Sequence, residues 1–505
     1  MDAAEQFKRD VRKGRIDVDR LVELLISAQR ELEQTRRDLE QAKKRIEELE
    51  EKLGGSPTIK TSEAYSMRAE ERRQQARGKK ARRKSKPRRR GRLTTGQKIA
   101  QAERTEKVFP PGVAEGDCIL SHTRPVWRFA NGRTVLVAYE VYRGPKNQYG
   151  RIPGALGRSE FGIEIIVAVA HLVHVVGLSF DKACAVLNFF QGLRLRKSQV
   201  EALLNQLSRH WEGEFETLCA LLANSLVVHA DETGWSINSV WAFLSEKARL
   251  VLFGVHKDSA TLHLILNPAT FTGTLVSDDA AVYAGFTNMQ KCWAHLLRRA
   301  IKLTLLAPEN AEYRRLADGL LEIYRKACRV QQDGRLSDQG RRRKVAQLDE
   351  EIVELCGPTW FAELPRCEGA VNDCRLLIDE LMRLMIDRQL FTFVTAAPVT
   401  TPLGRAESVS GTNNEAERTL RSPAQARDTG RTNKTSRGAR RRTVIVSVLE
   451  SLRQYLATFT LSSVIEEVRS WTAAGRSCFS KLARKLGISP GKASVLALID
   501  PQPSG

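Results

Sequence analysis

Three pairs of acidic residues stand where their carboxylates could act together: Asp231 with Glu232, Asp278 with Asp279, and Glu415 with Glu417. The first two pairs each follow a short aliphatic run that is typical of a buried strand. Carboxylate oxygens are the ligands that Mg²⁺ prefers, so a convergent set predicts metal-dependent chemistry on phosphate groups. The alternative is that each pair ends its strand and faces water, because charged side chains are rarely buried without a partner.

A sheet and a helix must bring these acids together. The pattern predicts three consecutive strands and then a fourth, at Ser225–Trp235, Val240–Val255, Thr261–Leu266 and Gly273–Tyr283. Three meandering strands, a crossover and a late acidic helix match the ribonuclease H-like arrangement, in which the acid of the first strand lies beside the end of the fourth. We therefore predict an α/β, ribonuclease H-like catalytic core with a helical insertion, preceded by a helical module and an N-terminal coiled coil.

Composition and periodicity divide the chain into successive segments. We predict a dimerising coiled coil at 1–55, a basic flexible linker at 56–106, a small β-rich segment at 107–160, a helical module and candidate DNA-binding unit at 161–224, the catalytic core at 225–297 and 405–460, a helical insertion at 298–404, and a C-terminal helical tail at 461–505. In the β-rich segment, Asn131-Gly132 predicts a hairpin turn. That segment offers only Cys118 and His122 as ligand types, so no zinc site is expected there.

The coiled-coil prediction rests on a regular seam. Apolar residues recur in steps of three and four from Val18 to Leu53, and charged residues fill most positions between them. Such a heptad pattern is typical of paired helices, and Gly54-Gly55 ends it. We predict a parallel homodimer through this seam. The alternative is a helix that folds back on its own chain.

The net charge of +22 is concentrated in two windows. Arg77–Arg92 holds eleven Lys or Arg and no acid, and Arg418–Arg442 holds nine Lys or Arg and one Asp. DNA is the natural partner of such charge, because each neutralised phosphate releases counterions. The candidate DNA-binding residues are Lys84, Arg88, Arg89, Arg90, Arg418, Arg421, Arg431, Lys434, Arg437, Arg440, Arg441 and Arg442. The alternatives are a solvated disordered tail for the first window and a helix salt bridge for Arg421.

Cysteine usage and hydropathy indicate the compartment. The nine cysteines are scattered and follow no secretory start, so we expect reduced thiols and a cytoplasmic, nucleoid-associated protein. The apolar run Ile165–Leu178 is shorter than the roughly 20 residues that span a bilayer. It also carries His171 and His174. We therefore predict a buried helix and no membrane partner.

The segment KCWAHLLRR contains a C-x-x-H spacing, formed by Cys292 and His295. This spacing supplies half of a zinc site, but no second close pair accompanies it. We favour a structural role in which Cys292 and Trp293 are buried where a strand meets a helix. The alternative for His295 is that it faces the acidic site and touches a phosphate or an attacking water. Trp235 and Trp241 are predicted to be core residues.

Four motifs in order resemble a known family: HADETGW, LVSDDAAVY, KCWAHLLRR and TNNEAERTLR. They are similar to the TnpC-type transposases of bacterial insertion sequences, insertion-sequence family sixty-six, over about Phe109 to Gln454. The resemblance implies a DDE triad of Asp231, Asp278 and Glu417. It favours Asp278 over Asp279 and Glu417 over Glu415 as metal ligands. Asp279, Cys292 and His295 are then expected to lie beside the ligands. For the first pair, strand alternation directs Glu232 away from Asp231.

The resemblance implies a function in DNA transposition. We predict metal-dependent cleavage at the ends of an element and transfer of the 3′-hydroxyls into target DNA, with two Mg²⁺ ions for which Mn²⁺ substitutes. The expected partners are double-stranded DNA, a second copy of the chain and accessory transposition proteins. Two rivals remain: a ribonuclease H-like nuclease without integration, and a domesticated, non-catalytic DNA-binding protein. A departure from the family pattern is that no cysteine-pair zinc segment precedes the core.

Overall fold

The computed structural model describes residues 93–360, 369–396, 398–400, 404, 406–489 and 495–499, with five positions between 33 and 41. Apart from those five positions, the predicted coiled coil lies outside the described residues. Most of the basic linker, including Lys84 and Arg88 to Arg90, lies outside them as well. The five isolated positions are helical and exposed: Glu33, Gln34, Arg37, Glu40 and Gln41. They do not test whether two chains pair.

The last part of the predicted linker is folded, which corrects the linker boundary. Helix α1, Thr95–Ala100, begins with a reciprocal cap between Thr94 and Gln97. Strand β1, Arg104–Val108, then pairs in parallel with a strand farther along the chain. These backbone hydrogen bonds hold residues 104–108 in the β-rich segment.

The β-rich segment is a three-stranded sheet. Strands β2, Ile119–Ala130, and β3, Arg133–Arg143, form an antiparallel hairpin, and β1 adds to the far side of β3. Asn131 and Gly132 connect the hairpin with φ angles of 50° and 73°. Both angles are positive, as a two-residue turn of this kind requires, so the predicted hairpin is confirmed.

Helices follow, as predicted, up to the first strand of the main sheet. They are α2, Ile163–Ala170, a π-helical turn at His171–Val175, α3, Phe180–Gln191, and α4, Lys197–Ala223. Ile165 and Ile166 are fully buried, in agreement with the prediction of a buried helix. Within the described part of the chain, none of the helices has the length and apolarity needed to cross a membrane.

The main sheet has five strands: β4, Val227–Gly234, β5, Ser239–Ser245, β6, Arg249–Val255, β7, Thr274–Ser277, and β8, Met289–Lys291. Their order across the sheet is β6-β5-β4-β7-β8. Strand β5 is antiparallel to both of its neighbours, β4 and β6, whereas β4, β7 and β8 run parallel to one another. The expected neighbours, the first and fourth strands, are therefore adjacent.

Two of the predicted strands are wrong. Val240–Val255 is the β5–β6 hairpin, because the Ser245 hydroxyl accepts hydrogen bonds from the backbone of residues 247 and 248 and closes a turn. Thr261–Leu266 is not a strand but lies in helix α5, Ser259–Ile265. The Asp258 side chain accepts a hydrogen bond from the Thr261 backbone at 2.7 Å and caps this helix.

A helical segment follows β8. Its helices are α6, Trp293–Leu306, α7, Ala311–Gln332, α8, Asp338–Trp360, α9, Ala370–Ile386, and α10, Thr392–Thr395. A two-residue ladder joins β9, Val399–Thr400, to β10, Ala406–Glu407. The chain then forms α11, Asn414–Asp428, α12, Ser436–Tyr455, α13, Leu461–Ala474, and α14, Cys478–Lys485.

Both faces of the main sheet are covered by apolar side chains. Val228, Ala230 and Leu275 join a core that includes residues of α4 and α12. Val227 and Val276, which point to the opposite face, join a second core with the inserted helices. Burial on both faces explains why the strands are nearly continuous apolar runs.

Helix α12 covers the edge of the sheet at β6. Three hydroxyls spaced by four residues accept hydrogen bonds from alternate backbone N–H groups of the strand. The contacts are Thr443 with Phe253 at 2.9 Å, Ser447 with Val251 at 3.0 Å, and Ser451 with Arg249 at 3.0 Å. Ser451 also donates to the Arg249 carbonyl at 3.1 Å. This hydroxyl ladder satisfies an edge that would otherwise be unpaired.

Candidate active site

Asp231 and Asp278 start from matching positions on two neighbouring strands. The parallel β4–β7 register pairs His229 with Val276, and each aspartate stands two residues farther along. Side chains alternate between faces, so both aspartates belong to the face of Val276. The acid pair does not mark the end of strand β4, because the pairing with β5 continues to Gly234.

Helix α11 brings the third carboxylate. Glu417 lies in its first turn, where the helix dipole favours negative charge. Asn413, immediately before the helix, is fully buried and donates from its side-chain amide to the Ala230 carbonyl at 2.7 Å. Its backbone N–H contacts the Cys292 sulfur at 3.1 Å. The helix start is therefore attached to β4 and to the residue that precedes α6.

Asp231, Asp278 and Glu417 line one open cavity of about 340 Å³. Glu232 also contributes to the wall. The other lining residues are Thr233, Lys257, His295, Arg298, Leu420, Arg421 and Ala424. The cavity thus combines four carboxylates with three permanently charged cations. This surface is suited to a phosphate that approaches together with divalent cations.

In each of the three acid pairs, the residue outside the predicted triad contacts a cation or a hydroxyl. Glu232 accepts from the Tyr283 hydroxyl at 2.5 Å and from Lys257 at 2.6 Å. The other two are Asp279, which pairs with Arg383 of α9 and with Lys291, and Glu415, which pairs with Arg249. Protein side chains therefore hold Glu232, Asp279 and Glu415 in place without a bound ion.

Burial and neighbouring negative charge act together on Asp231. Desolvation, followed by the charge of Glu232, raises the pKa of Asp231 to about 7, and Asp278 and Glu417 add to the rise. A hydrogen bond from the Glu232 backbone opposes the rise. Burial and the carboxylate of Glu232 also raise the pKa of Tyr283 well above its ordinary value. A positive charge bound beside Asp231 would favour its carboxylate form and oppose this rise.

The donor set fits divalent metal ions of the hard type. Asp231, Asp278 and Glu417 offer only oxygen ligands, which Mg²⁺ and Mn²⁺ accept. Burial first, and the charge of Glu232 second, raise the pKa of Asp231, and a bound cation would act against both effects. These three residues would hold the ions.

The strand-to-helix junction at β8 and α6 is buried as predicted. Cys292 and Trp293 are 1% and 0% exposed, and burial raises the pKa of the Cys292 thiol. His295 lines the acidic cavity, with its Nδ1 atom 3.6 Å from Glu417 Oε1. Trp235 and Trp241 are also core residues, at 7% and 0% exposure.

Three residues of the site were missed from the sequence. Arg298 donates to Glu417 Oε1 at 2.5 Å and stands three residues after His295, one helical turn along α6. That spacing was the available signal, within a motif already recognised. Asn413 likewise lies in a quoted motif, two residues before Glu415. Lys257 follows β6 with no pattern that indicates its contact with Glu232.

The basic candidates of the second window differ in exposure. Arg421 is exposed and lines the acidic cavity, whereas Arg418 is exposed on another side of α11, near His174 and Arg442. The remaining exposed candidates are Arg431, Lys434 and Arg437. Arg440 is half-buried and contacts Glu212 at 3.3 Å.

Arg441 and Arg442 are buried, which corrects the prediction that they bind phosphate. Arg442 stacks over Phe253 and Trp235 at 4.4 and 5.1 Å, and burial lowers its pKa to about 10. Arg441 donates to Asn205 at 3.0 Å. Both side chains stabilise the packing of α12, because their charges meet rings and polar partners inside the fold.

A protein-family model matches the part of the chain that contains this site. The model described as Transposase IS66 family matches residues 158–441, which is more than half of the chain. The matched region begins before the helical module and ends in α12, so it contains all three cavity carboxylates. The curated proteins give no match. On this evidence the chain belongs to the IS66 family of transposases.

Proposed function

We propose that this chain is a DDE transposase that cleaves the DNA ends of a mobile element and transfers the freed 3′-hydroxyls into target DNA. Asp231, Asp278 and Glu417 form its triad. The family match supports a role in transposition, and the proposal adds the reaction and the residues. We further propose that the five-stranded sheet with α11 is a ribonuclease H-like core, on the basis of its strand order and directions.

One observation carries the proposal. Asp231, Asp278 and Glu417, from three separate elements, line a single open cavity. Of the acids beside them, Asp279 and Glu415 pair with cations outside this cavity, and Glu232 pairs with Lys257 at its wall. A binding protein would gain nothing from this arrangement, because carboxylates repel phosphate. A metal-dependent phosphoryl transferase requires it.

The residues of the cavity have different roles in this proposal. Asp231 and Asp278 hold divalent cations from the sheet, and Glu417 holds one from α11. The chemistry that such cations supply when bound is activation of a water or a 3′-hydroxyl and neutralisation of charge on the phosphate. Arg421 is exposed at the cavity and contacts a backbone phosphate of the DNA. Lys257 keeps Glu232 in place beside Asp231.

The remaining parts of the proposal concern partners. The basic segment at 77–92 and the exposed Arg418, Arg431, Lys434 and Arg437 bind the DNA backbone. The seam from Val18 to Leu53 pairs two copies of the chain. Accessory transposition proteins join this assembly. The protein then acts in the cytoplasm, on DNA of the nucleoid.

A strand-transfer assay tests the reaction. The full chain is incubated with Mg²⁺, labelled duplexes that carry candidate element ends and a target plasmid, and joined 3′-ends are captured by sequencing. Asp231→Asn, Asp278→Asn and Glu417→Gln should each lower cleavage by at least about 10²-fold, the scale for loss of one charge-stabilising group. DNA binding, measured by gel shift, should persist in all three.

Asp279→Asn and Glu415→Gln are the matched controls, because each removes one charge from the adjacent acid. They should retain cleavage within a few fold. Cleavage without joined products would favour the nuclease, and full activity of the triad variants would refute the assignment.

A further inference from the structure

Three side chains of different chemistry meet beside the acidic cavity. Among the described residues, Cys292, His295 and Glu417 form a group whose ligand atoms all lie within 4.8 Å of one another. Cys292 precedes α6, His295 lies in its first turn, and Glu417 comes from α11. The sequence alone supplied the C-x-x-H half of a zinc site, and the fold adds a third ligand from 122 residues farther along the chain than His295.

We propose that Cys292, His295 and Glu417 form a second cation site, which takes Zn²⁺ and shares Glu417 with the triad. The binding itself stands on geometry alone. Its effect on activity rests on the proposed function.

The donor set distinguishes this site from the carboxylate triad. Sulfur and imidazole ligands favour Zn²⁺ and Co²⁺, whereas Mg²⁺ takes oxygen ligands. Three protein ligands would leave one position of a tetrahedral Zn²⁺ site for water. His295 and Glu417 also line the acidic cavity. On coordination, the Cys292 thiol releases its proton to solvent.

The histidine is oriented for such a role. Its Nδ1 atom is buried, has no hydrogen-bond partner and lies 3.6 Å from Glu417 Oε1. A buried polar atom without a hydrogen-bond partner is costly. A cation between Cys292, His295 and Glu417 would satisfy it.

Because Glu417 belongs to both cation sites, Zn²⁺ binding should affect catalysis. Glu417 Oε1 now accepts from Arg298, an exposed side chain that can swing into solvent when a cation replaces it. A Glu417 carboxylate that binds Zn²⁺ beside Cys292 is drawn away from Asp231 and Asp278. Zn²⁺ should therefore inhibit DNA cleavage in competition with Mg²⁺.

Cobalt spectroscopy tests the binding without any DNA. Metal-free full chain is titrated with Co²⁺, and absorption is recorded in the near-ultraviolet, where a cysteine-bound Co²⁺ gives a charge-transfer band. We expect one equivalent of Co²⁺ to produce the band and Zn²⁺ to remove it. Cys292→Ser should abolish the band, while the matched control Cys118→Ser should retain it. Absence of the band in the wild type, or its persistence in Cys292→Ser, would overturn the site.

His295→Gln gives a second test, with denaturant unfolding to check that the variant is folded. Its Co²⁺ affinity should fall by more than the roughly 10- to 100-fold that removal of an outer-shell partner costs. Asp231→Asn should leave the affinity within a few fold, because Asp231 is not a ligand of this site. Unchanged affinity in His295→Gln would refute the three-ligand site.

Inhibition is then measured on cleavage at several Mg²⁺ concentrations, with each variant normalised to its own rate without Zn²⁺. Half-inhibition by Zn²⁺ should move to higher Zn²⁺ as Mg²⁺ rises, and Cys292→Ser should resist it at least tenfold. A cobalt band without competitive inhibition would refute the sharing of Glu417. An inactive wild type that still shows the band would refute the proposed function and leave the site standing.

Discussion

The side-chain amide of Asn413 donates a hydrogen bond to the backbone carbonyl of Ala230, over 2.7 Å, inside the fold. Ala230 directly precedes Asp231, and Asn413 directly precedes the helix that carries Glu417. This single hydrogen bond therefore fixes the distance between a strand and a helix that each supply a carboxylate. Asn413 has 0% exposure, so the bond is shielded from competing water.

Asn413→Ala should separate positioning from folding. Removal of the buried hydrogen bond leaves the Ala230 carbonyl unpaired and should cost about 1–3 kcal/mol of unfolding free energy. Cleavage should fall by more than the folded fraction does, because Asp231 and Glu417 are no longer held together. Denaturant unfolding and a cleavage assay on the folded fraction measure the two effects. The exposed neighbour Asn414→Ala is the control, and equal activity in both variants would contradict the role.

The raised pKa of Asp231 predicts that the stability of the metal-free protein depends on pH. Its folded-state pKa of about 7 lies above its ordinary value of 3.8. The folded state therefore holds the proton more tightly, and stability falls as pH rises from about 4 to 7. Asp231→Asn should be more stable than the wild type at pH 8, by up to about 4 kcal/mol, and the difference should vanish near pH 4.

Urea unfolding in the presence of a chelator, across this pH range, measures the difference. Mg²⁺ should stabilise the wild type at pH 8 more than it stabilises Asp231→Asn. A wild type whose stability rises between pH 5 and pH 7 relative to the variant would show that the sign is wrong.

The coiled-coil seam predicts the oligomeric state, although it lies outside the described residues. Replacing Leu32 and Leu39 with Glu would place charges in the seam, where they are costly without partners. The variant should be a monomer by light scattering, while the wild type should be a dimer. A matched change of two charged positions between the seam residues, Glu31→Gln and Asp38→Asn, should leave the dimer intact. An unchanged mass in the seam variant would exclude this seam as the dimer interface.

The basic segment at 77–92, also outside the described residues, predicts a binding signature. Its deletion should weaken binding to all duplexes by a similar factor. It should also flatten the slope of log affinity against log salt by roughly 0.9 for each DNA phosphate that the segment neutralises in the full chain. Fluorescence anisotropy at several salt concentrations measures both quantities. An unchanged slope would favour a spacer, and weakening confined to element ends would assign sequence recognition to this segment.

The strands that lead to the acidic residues could be predicted from the sequence, whereas the contacts of the neighbouring acids could not. Asp231 and Asp278 follow apolar runs whose pattern identifies strands, and that signal is local. The pairing of Asp279 with Arg383 spans 104 residues, and that of Glu415 with Arg249 spans 166, so no local pattern contains either. Only the fold brings such partners together.

Two errors have local physical causes. The segment at 261–266 alternates like a strand, but Asp258 caps it as a helix, and a six-residue run is too short for periodicity to decide. Arg441 and Arg442 belong to a charge cluster that suggests a DNA surface. Phe253 and Trp235 pack against Arg442, and they lie 189 and 207 residues earlier in the chain.

The hydroxyl ladder on β6 imposes an order on synthesis. Phe253 leaves the ribosome 190 residues before Thr443, its hydrogen-bond partner. At roughly 5–20 residues per second, that interval lasts on the order of 10–40 s. During this time the strand presents unpaired N–H groups that can recruit a strand from another nascent chain. We expect chains arrested before residue 443 to aggregate or to bind chaperones in a sedimentation assay, whereas the full-length chain should not. Late emergence of α12 thus makes this transposase most vulnerable while it is being made.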